Sequence, residues 1–325
     1  MRVTFWGVRG SLPSPLTAVQ MRRMQRKLLQ EIRLRGLPGP EEEERFLDGL
    51  PAPLRGPVGG NTSCVQVDLD GQTFIFDAGS GLHPLGQALM DGPCGRGQGR
   101  LKLFLSHTHW DHVQGLPYFA PIYVPGNRVE VYSGFTDIAG RLALQQRPEY
   151  FPVPLEAVGA DLTFHQLPAG PALELEGGGA AVRVRAQELH HPGGAYGYRL
   201  EADGAVLIYA ADSDYCEMNR ADLDLYCEFF QGADLLIFDS QFSFNEARAR
   251  ADWGHASAVL GVNIARQAGV RRLALFHHST DYSDATLHDL CAEAAAYRNL
   301  YFPDCELEIF LATEGLFLEL GANTL

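Results

Sequence analysis

"LFLSHTHWDHVQGL", residues 103–116, places three histidines and an aspartate within six positions at the end of a short apolar run. Leu101 to Leu105 reads as a buried strand, and His107, Thr108, His109, Trp110, Asp111 and His112 break its pattern abruptly. A single histidine in a turn would mean little. Four groups at H-x-H-x-D-H spacing are a ligand set, because neutral imidazole and carboxylate are what borderline cations such as zinc prefer. In a tight turn running into a helix, His107 and His109 converge on one point while Asp111 and His112 face a neighbouring point. The stretch reads as metal-binding.

The chain around it has 325 residues, enough for a large core in one big domain or two. Its 46% hydrophobic and 20% charged residues describe an ordinary globular protein. No apolar run approaches bilayer length, and "MRVTFWGVRGS" alternates like a strand instead of carrying a signal-peptide core. Cys64, Cys94, Cys216, Cys227, Cys291 and Cys305 lack paired spacing, which predicts reduced thiols and a cytoplasmic setting. The net charge of −14 argues against a broad basic groove for long nucleic acid. It leaves a phosphate substrate open, since bound divalent cations invert the local field.

Two segments share one plan. "SCVQVDLDGQTFIFDAGSGLHPLG" (63–86) and "GYRLEADGAVLIYAADSDY" (197–215) each read as strand, Asp-Gly turn, strand, then a small-residue turn carrying Asp77 or Asp212. This suggests an internally duplicated α/β architecture. "DLLIFDSQF" (234–242) and "VRRLALFHHS" (270–279) are further strands with polar ends, and "HASAVLGVNIARQAG" (255–269) is an amphipathic helix begun by His255. "ELEIFLATEGLFLEL" (306–320) reads as a closing hairpin, and the whole as two sheets covered by helices. Between the first strand and "GGN", Met21, Met24, Leu28 and Ile32 form an apolar stripe on a predicted helix, which "GLPGP" ends before the acidic "EEEERFLDGL". The Gly-rich "GPCGRGQGR" (92–100) lacks the Lys and Ser/Thr of a phosphate-cradling loop.

One turn does not close a two-metal site. His190 or His191, Asp212, and His277 or His278 stand after apolar strands and before small-residue turns, the edge where α/β folds collect functional groups. In this order, "SHTHWDH", a later His, a strand-end Asp and a final His resemble the metallo-β-lactamase-fold hydrolase superfamily. "FWGVRGSLPSP", "GGNTSCVQV", "FDAGSGLHPLG", "HHPGGAYGYR" and "FHHS" resemble its phosphodiesterase-like branch, related to tRNase Z and the cyclic phosphodiesterases.

The resemblance implies a four-layer αβ/βα sandwich with two mixed sheets and helices outside, forming one domain over residues 1–325. A helical insertion at about 16–57 is then expected near the site entrance, its helix an amphipathic surface helix capping a core, with a lid or a homodimer contact as the sharper alternative. The resemblance further implies that His107, His109 and His191 hold one divalent metal, that Asp111, His112 and His277 hold a second, and that Asp212 bridges them. Zinc is the expected ion, with manganese or iron as alternatives, and a shared hydroxide is the expected nucleophile. Asp77 is either a support for a ligand histidine or a helix cap. His255, in "DWGHASA", is similar to a histidine that assists the leaving group in tRNase-Z-like relatives, so Asp111, Asp212 and His255 are the candidate catalytic residues. No Gly/Pro-rich basic arm for gripping tRNA is present in the sequence, and a small phosphodiester such as a cyclic nucleotide or a nucleotide-like metabolite is the expected substrate, ahead of an RNA end. A thioester or lactam hydrolase and a non-catalytic metal-binding protein are the competing readings.

Overall fold

The computed structural model describes residues 1–177, 179–215 and 218–321. Fourteen strands among them form two seven-stranded sheets. The first contains β1 (Arg2–Gly7), β2 (Cys64–Leu69), β3 (Gln72–Phe76), β4 (Arg100–Leu105), β5 (Arg128–Ser133) and β6 (Asp161–Gln166). The second contains β7 (Ala172–Gly177), β8 (Ala180–Leu189), β9 (Ala195–Ala202), β10 (Ala205–Ala210), β11 (Leu235–Asp239), β12 (Arg272–Phe276) and β13 (Glu308–Leu311). β14 (Phe317–Glu319) returns to the first sheet and pairs antiparallel with β1.

The two halves repeat one topology. β1, β2 and β3 run antiparallel and are followed by parallel β4, β5 and β6. β8, β9 and β10 run antiparallel and are followed by parallel β11, β12 and β13. The Asp-Gly pairs close matching hairpins. Asp70 and Gly71 have φ of 48° and 80°, and Asp203 and Gly204 have 51° and 74°. Positive φ at both central residues is the turn that matches the twist of paired strands.

Alternation decides the layers. Phe74, Phe76 and Phe104 point between the sheets and meet Tyr198, Leu200, Leu207 and Tyr209 in one buried cluster. Phe104 lies 5.3 Å from Phe76 and 4.9 Å from Tyr132, ring to ring. Burying each such side chain contributes roughly 1.5–3 kcal/mol. Ile75, Leu101, Leu103 and Leu105 face the other way and pack against Leu82, Leu85, Ile138 and Leu142 on outer helices. β11 is buried throughout, with helix Ala258–Gln267 on its outer side.

The C-terminal segment is not a hairpin. β13 extends the second sheet beside β12, and β14 crosses to β1. Alternation looks the same for a hairpin and for two strands that complete different open edges. Gly315, at φ 81°, makes the crossing, with its N–H bonded to Phe5 O.

Helix Ala18–Arg35 begins at Thr17 with a capping box to Gln20. It buries none of its residues: Met24, Leu28 and Ile32 are half-covered, while Met21 is exposed. No helix among the described residues is long and apolar enough to cross a membrane. Cys64, Cys94, Cys227, Cys291 and Cys305 are free thiols, and Cys216 lies outside the described residues.

Candidate metal centre

The ends of β3, β4, β8, β10, β11 and β12 bring Asp77, His107, His191, Asp212, Asp239 and His277 to one edge of the sandwich. Asp77, Asp212 and His277 have φ of 61°, 56° and 60°, a conformation that costs an L-residue roughly 1–2 kcal/mol. Left-handed turns at these three strand ends redirect the side chains toward the site, and Asp is among the residues that tolerate this best.

Two groups of ligand atoms result, each with all its atoms within 4.8 Å of one another. One contains His107, His109, His191 and Asp212, and the other Asp111, His112, Asp212 and His277. His109 Nδ1 and His191 Nε2 face each other at 3.1 Å, as do His112 Nε2 and His277 Nε2 at 3.2 Å. Asp212 Oδ2 lies 3.6 Å from His107 Nε2 and 3.7 Å from His191 Nε2. Its Oδ1 lies 3.2 Å from His112 Nε2 and 3.1 Å from His277 Nε2. His107 Nε2 and Asp212 Oδ1 are buried and make no hydrogen bond. Imidazole nitrogens aimed at one another, with carboxylate oxygens beside them and buried atoms left unbonded, fit the donor requirement of a divalent cation.

The electrostatics agree for His107, His191 and Asp212, whereas neighbouring carboxylates favour the charged form of His112. Burial, followed by repulsion from His112, holds His107 well below the ordinary imidazole range. Burial also lowers His191, against the pull of Asp212. Neutral imidazole is the form that binds metal. Burial opposes the Asp212 anion, but His112 and His277 outweigh it and hold the carboxyl well below its usual range. For His112 burial acts downward, and Asp212, Asp111 and Asp77 prevail upward.

Both histidine doublets separate. His191 turns inward with its Nδ1 donating to Gly254 O at 2.9 Å, whereas His190 is exposed. His277 faces Asp111 and Asp212, while the Nε2 of buried His278 donates to Ala312 O at 2.9 Å. Glycine is required beside each inward ring. A Cβ on Gly254 would lie 2.5 Å from His191 Nδ1, and one on Gly10 would lie 2.5 Å from His277 Cε1.

Asp77 does not cap a helix. Its carboxylate takes His112 Nδ1 at 2.6 Å, the backbone N–H and Oγ of Ser106 at 2.7 Å each, and Tyr209 OH at 2.7 Å. These bonds fix the His112 ring so that Nε2 points into the cluster.

His255 differs from the helix-head position read in the sequence. The helix starts at Ala258, and its cap is Ser257, whose Oγ accepts Leu260 N–H at 3.4 Å. His255 lies before the cap, 8% exposed, with its Nδ1 on Asp239 Oδ2 at 2.7 Å. Its ring is 5.3 Å from that of His191 and 5.1 Å from that of His277. Burial disfavours charge on His255, but Asp239 outweighs it and raises the imidazole to about 9. Asp239, His255, Asp212 and His277 also form a compact group, overlapping the second cluster through Asp212 and His277. Asp239 is the residue that sequence reading passed over. Its signal was the polar end of "LLIFD", which by itself reads as a turn.

Two mixed sheets between helices, with this His/Asp cluster on their shared edge, define a hydrolase of the metallo-β-lactamase fold. The chain belongs to the β-lactamase superfamily: residues 72–278, more than half of it, match the family described as the beta-lactamase superfamily domain. It is 28% identical over 274 residues to ribonuclease Z of Natronomonas pharaonis, a match covering 69% of this chain and 83% of that protein. Its fold is shared with human tRNase Z, short form, at a TM-score of 0.59 and 17% identity, over 99% of this chain and 100% of that one. A diphosphatase of the PhnP family matches at 0.57 and 19% identity, over 98% and 97%.

Proposed function

We propose that the chain hydrolyses a small phosphodiester, with two divalent cations, zinc foremost, held by the two ligand groups. His107, His109 and His191 serve one position, Asp111, His112 and His277 the other, and Asp212 offers one oxygen to each. Cations bound there supply Lewis-acid polarisation of a phosphoryl oxygen and activation of water. Asp77 holds the His112 ring, and the carbonyl of Gly254 holds that of His191. His255, oriented by Asp239, carries the proton for the departing alkoxide.

The observation that carries this reading is the Asp239–His255 pair. It places a buried, oriented imidazole beside both ligand groups while tying its Nδ1 to a carboxylate, which leaves Nε2 for a substrate oxygen. Likeness to ribonuclease Z supports phosphodiester chemistry, and the net charge of −14 supports a small substrate over long RNA. Two contacts just before residues 16–57 support a position of that segment beside the entrance. Ser11 N–H donates to Asp111 Oδ2 at 2.7 Å, and Ser14 N–H donates to Gly60 O at 2.7 Å. The insertion thus leaves the body a few residues from a ligand carboxylate.

The test is a panel of bis(p-nitrophenyl) phosphate, a phosphomonoester, a thioester, nitrocefin and a 3′-extended tRNA precursor. Turnover of the small diester above the others is expected. Turnover confined to the thioester or lactam would overturn the phosphodiester reading, and turnover confined to the RNA would overturn the small substrate. Asp77→Ala is expected to weaken metal binding about 10–100-fold in a chelator competition. Unchanged affinity would leave Asp77 a purely structural carboxylate.

A further inference from the structure

Six of the seven ligand candidates are 9% exposed or less, and His109 is the exposed one. The site therefore opens to solvent on the side of His109, and the next residue is Trp110. Trp110 is 64% exposed. Contiguous exposed apolar groups rimmed by polar residues mark a recognition surface, whereas a single exposed residue does not.

Trp110 is one wall of a cavity of about 320 Å³, completed by Thr108, Val113, Arg141, Leu142 and Tyr150, among others. Thr108 sits between His107 and His109, so the cavity wall and the ligand set share one loop. Arg141 joins the cavity to the mouth. Its guanidinium lies 4.0 Å over the Phe135 ring, bonds to Asp137 Oδ1 at 2.9 Å, and donates to Thr108 Oγ1 at 3.4 Å. Phe135 borders Gly194, in the turn that follows His191. Tyr150, on the same cavity, is 72% exposed, in line with an aromatic surface open to a ligand.

The geometry points to this cavity as the seat of a nucleobase, belonging to the nucleoside that stays on the phosphorus after cleavage. A flat heterocycle suits aromatic walls, because stacking on Trp or Tyr is strong and tolerant of base identity. A volume near the lower end of ligand pockets fits a single base. The fixed Arg141 fork presents N–H donors to base or sugar acceptors in a chain that is otherwise acidic. The group that His255 protonates is the one that departs, and the Trp110 cavity is assigned to the group that is retained. This assignment rests on the phosphodiesterase reading above.

Thymidine 5′-(p-nitrophenyl phosphate) and ethyl p-nitrophenyl phosphate lose the same leaving group and differ only in what is retained. The wild-type holoenzyme is expected to favour the thymidine ester in kcat/KM by at least about tenfold. Trp110→Ala should remove most of that ratio through KM, and Trp110→Phe should restore it. Thymidine 5′-monophosphate should quench tryptophan fluorescence in the wild type and not in Trp110→Phe, which still contains Trp6 and Trp253. Equal kcat/KM for both esters, or a ratio retained in Trp110→Ala, would overturn the base seat while leaving the phosphodiesterase reading intact. Failure to cleave either ester, with the quench present, would instead remove the phosphodiesterase reading and keep the seat. Absence of both quench and preference would remove the seat.

Discussion

Asp212→Ala is expected to be purified with less than half the metal of the wild type and to lose phosphodiester turnover by at least about 10⁴-fold, the scale of losing a Lewis-acid centre. Among the described residues Asp212 alone is common to all the ligand groups, and its two oxygens face opposite histidine pairs at 3.1–3.7 Å. Without it, His107 and His191 on one side, and His112 and His277 on the other, lose the anion that offsets a dipositive charge. The fold should survive, because Asp212 follows a strand whose packing rests on Leu207, Ile208 and Tyr209. Circular dichroism identical to wild type, with depleted metal by elemental analysis, is the expected pair of results. A variant that keeps its full metal content would show that Asp212 is not shared between two ions.

His255→Ala is expected to act on the other half of the mechanism. It should keep its metals and its fold while kcat falls about a hundred- to ten-thousand-fold, the usual contribution of a positioned acid. The loss should be largest for diesters with poor leaving groups, which need the proton most, and smaller for p-nitrophenol esters. Asp239→Asn tests orientation separately. It preserves the shape of the partner but removes its charge, and should lower kcat about tenfold or more with KM little changed. If His255→Ala turns over an alkyl diester as the wild type does, the imidazole is structural and the leaving group draws its proton from elsewhere.

The legible parts of the sequence were those where chemistry is contiguous or repeated. His107 to His112 displayed four ligand-grade groups within one turn, and two Asp-Gly hairpins displayed the duplication before any coordinate. Strand-end position singled out Asp212 and narrowed two further ligands to His190 or His191 and His277 or His278, because apolar runs locate the buried edge and the following polar residues inherit it; the family resemblance chose within each doublet. What escaped depends on contacts between distant segments. Asp239 is an unremarkable strand end until His255, sixteen residues later, folds back to within 2.7 Å. His255 looked like the head of a helix because "GHAS" precedes a periodic run, but Ser257 supplies the cap. β13 and β14 alternate as a hairpin would, and only the open edge beside each sheet separates them. The stripe on helix Ala18–Arg35 marks an apolar face but not its cover, which is partial at Met24, Leu28 and Ile32, since periodicity carries no record of whether a partner is present.

Two cations are expected to share the Asp212 carboxylate. Protein stripped with chelator and titrated with Zn²⁺ in a calorimeter, while turnover of bis(p-nitrophenyl) phosphate is followed on the same samples, measures it directly. Binding that saturates at two ions per chain, with activity absent from the stripped protein and restored as the sites fill, is the predicted result. Saturation at one ion, unchanged in Asp111→Ala, or full turnover by the stripped protein, would contradict it.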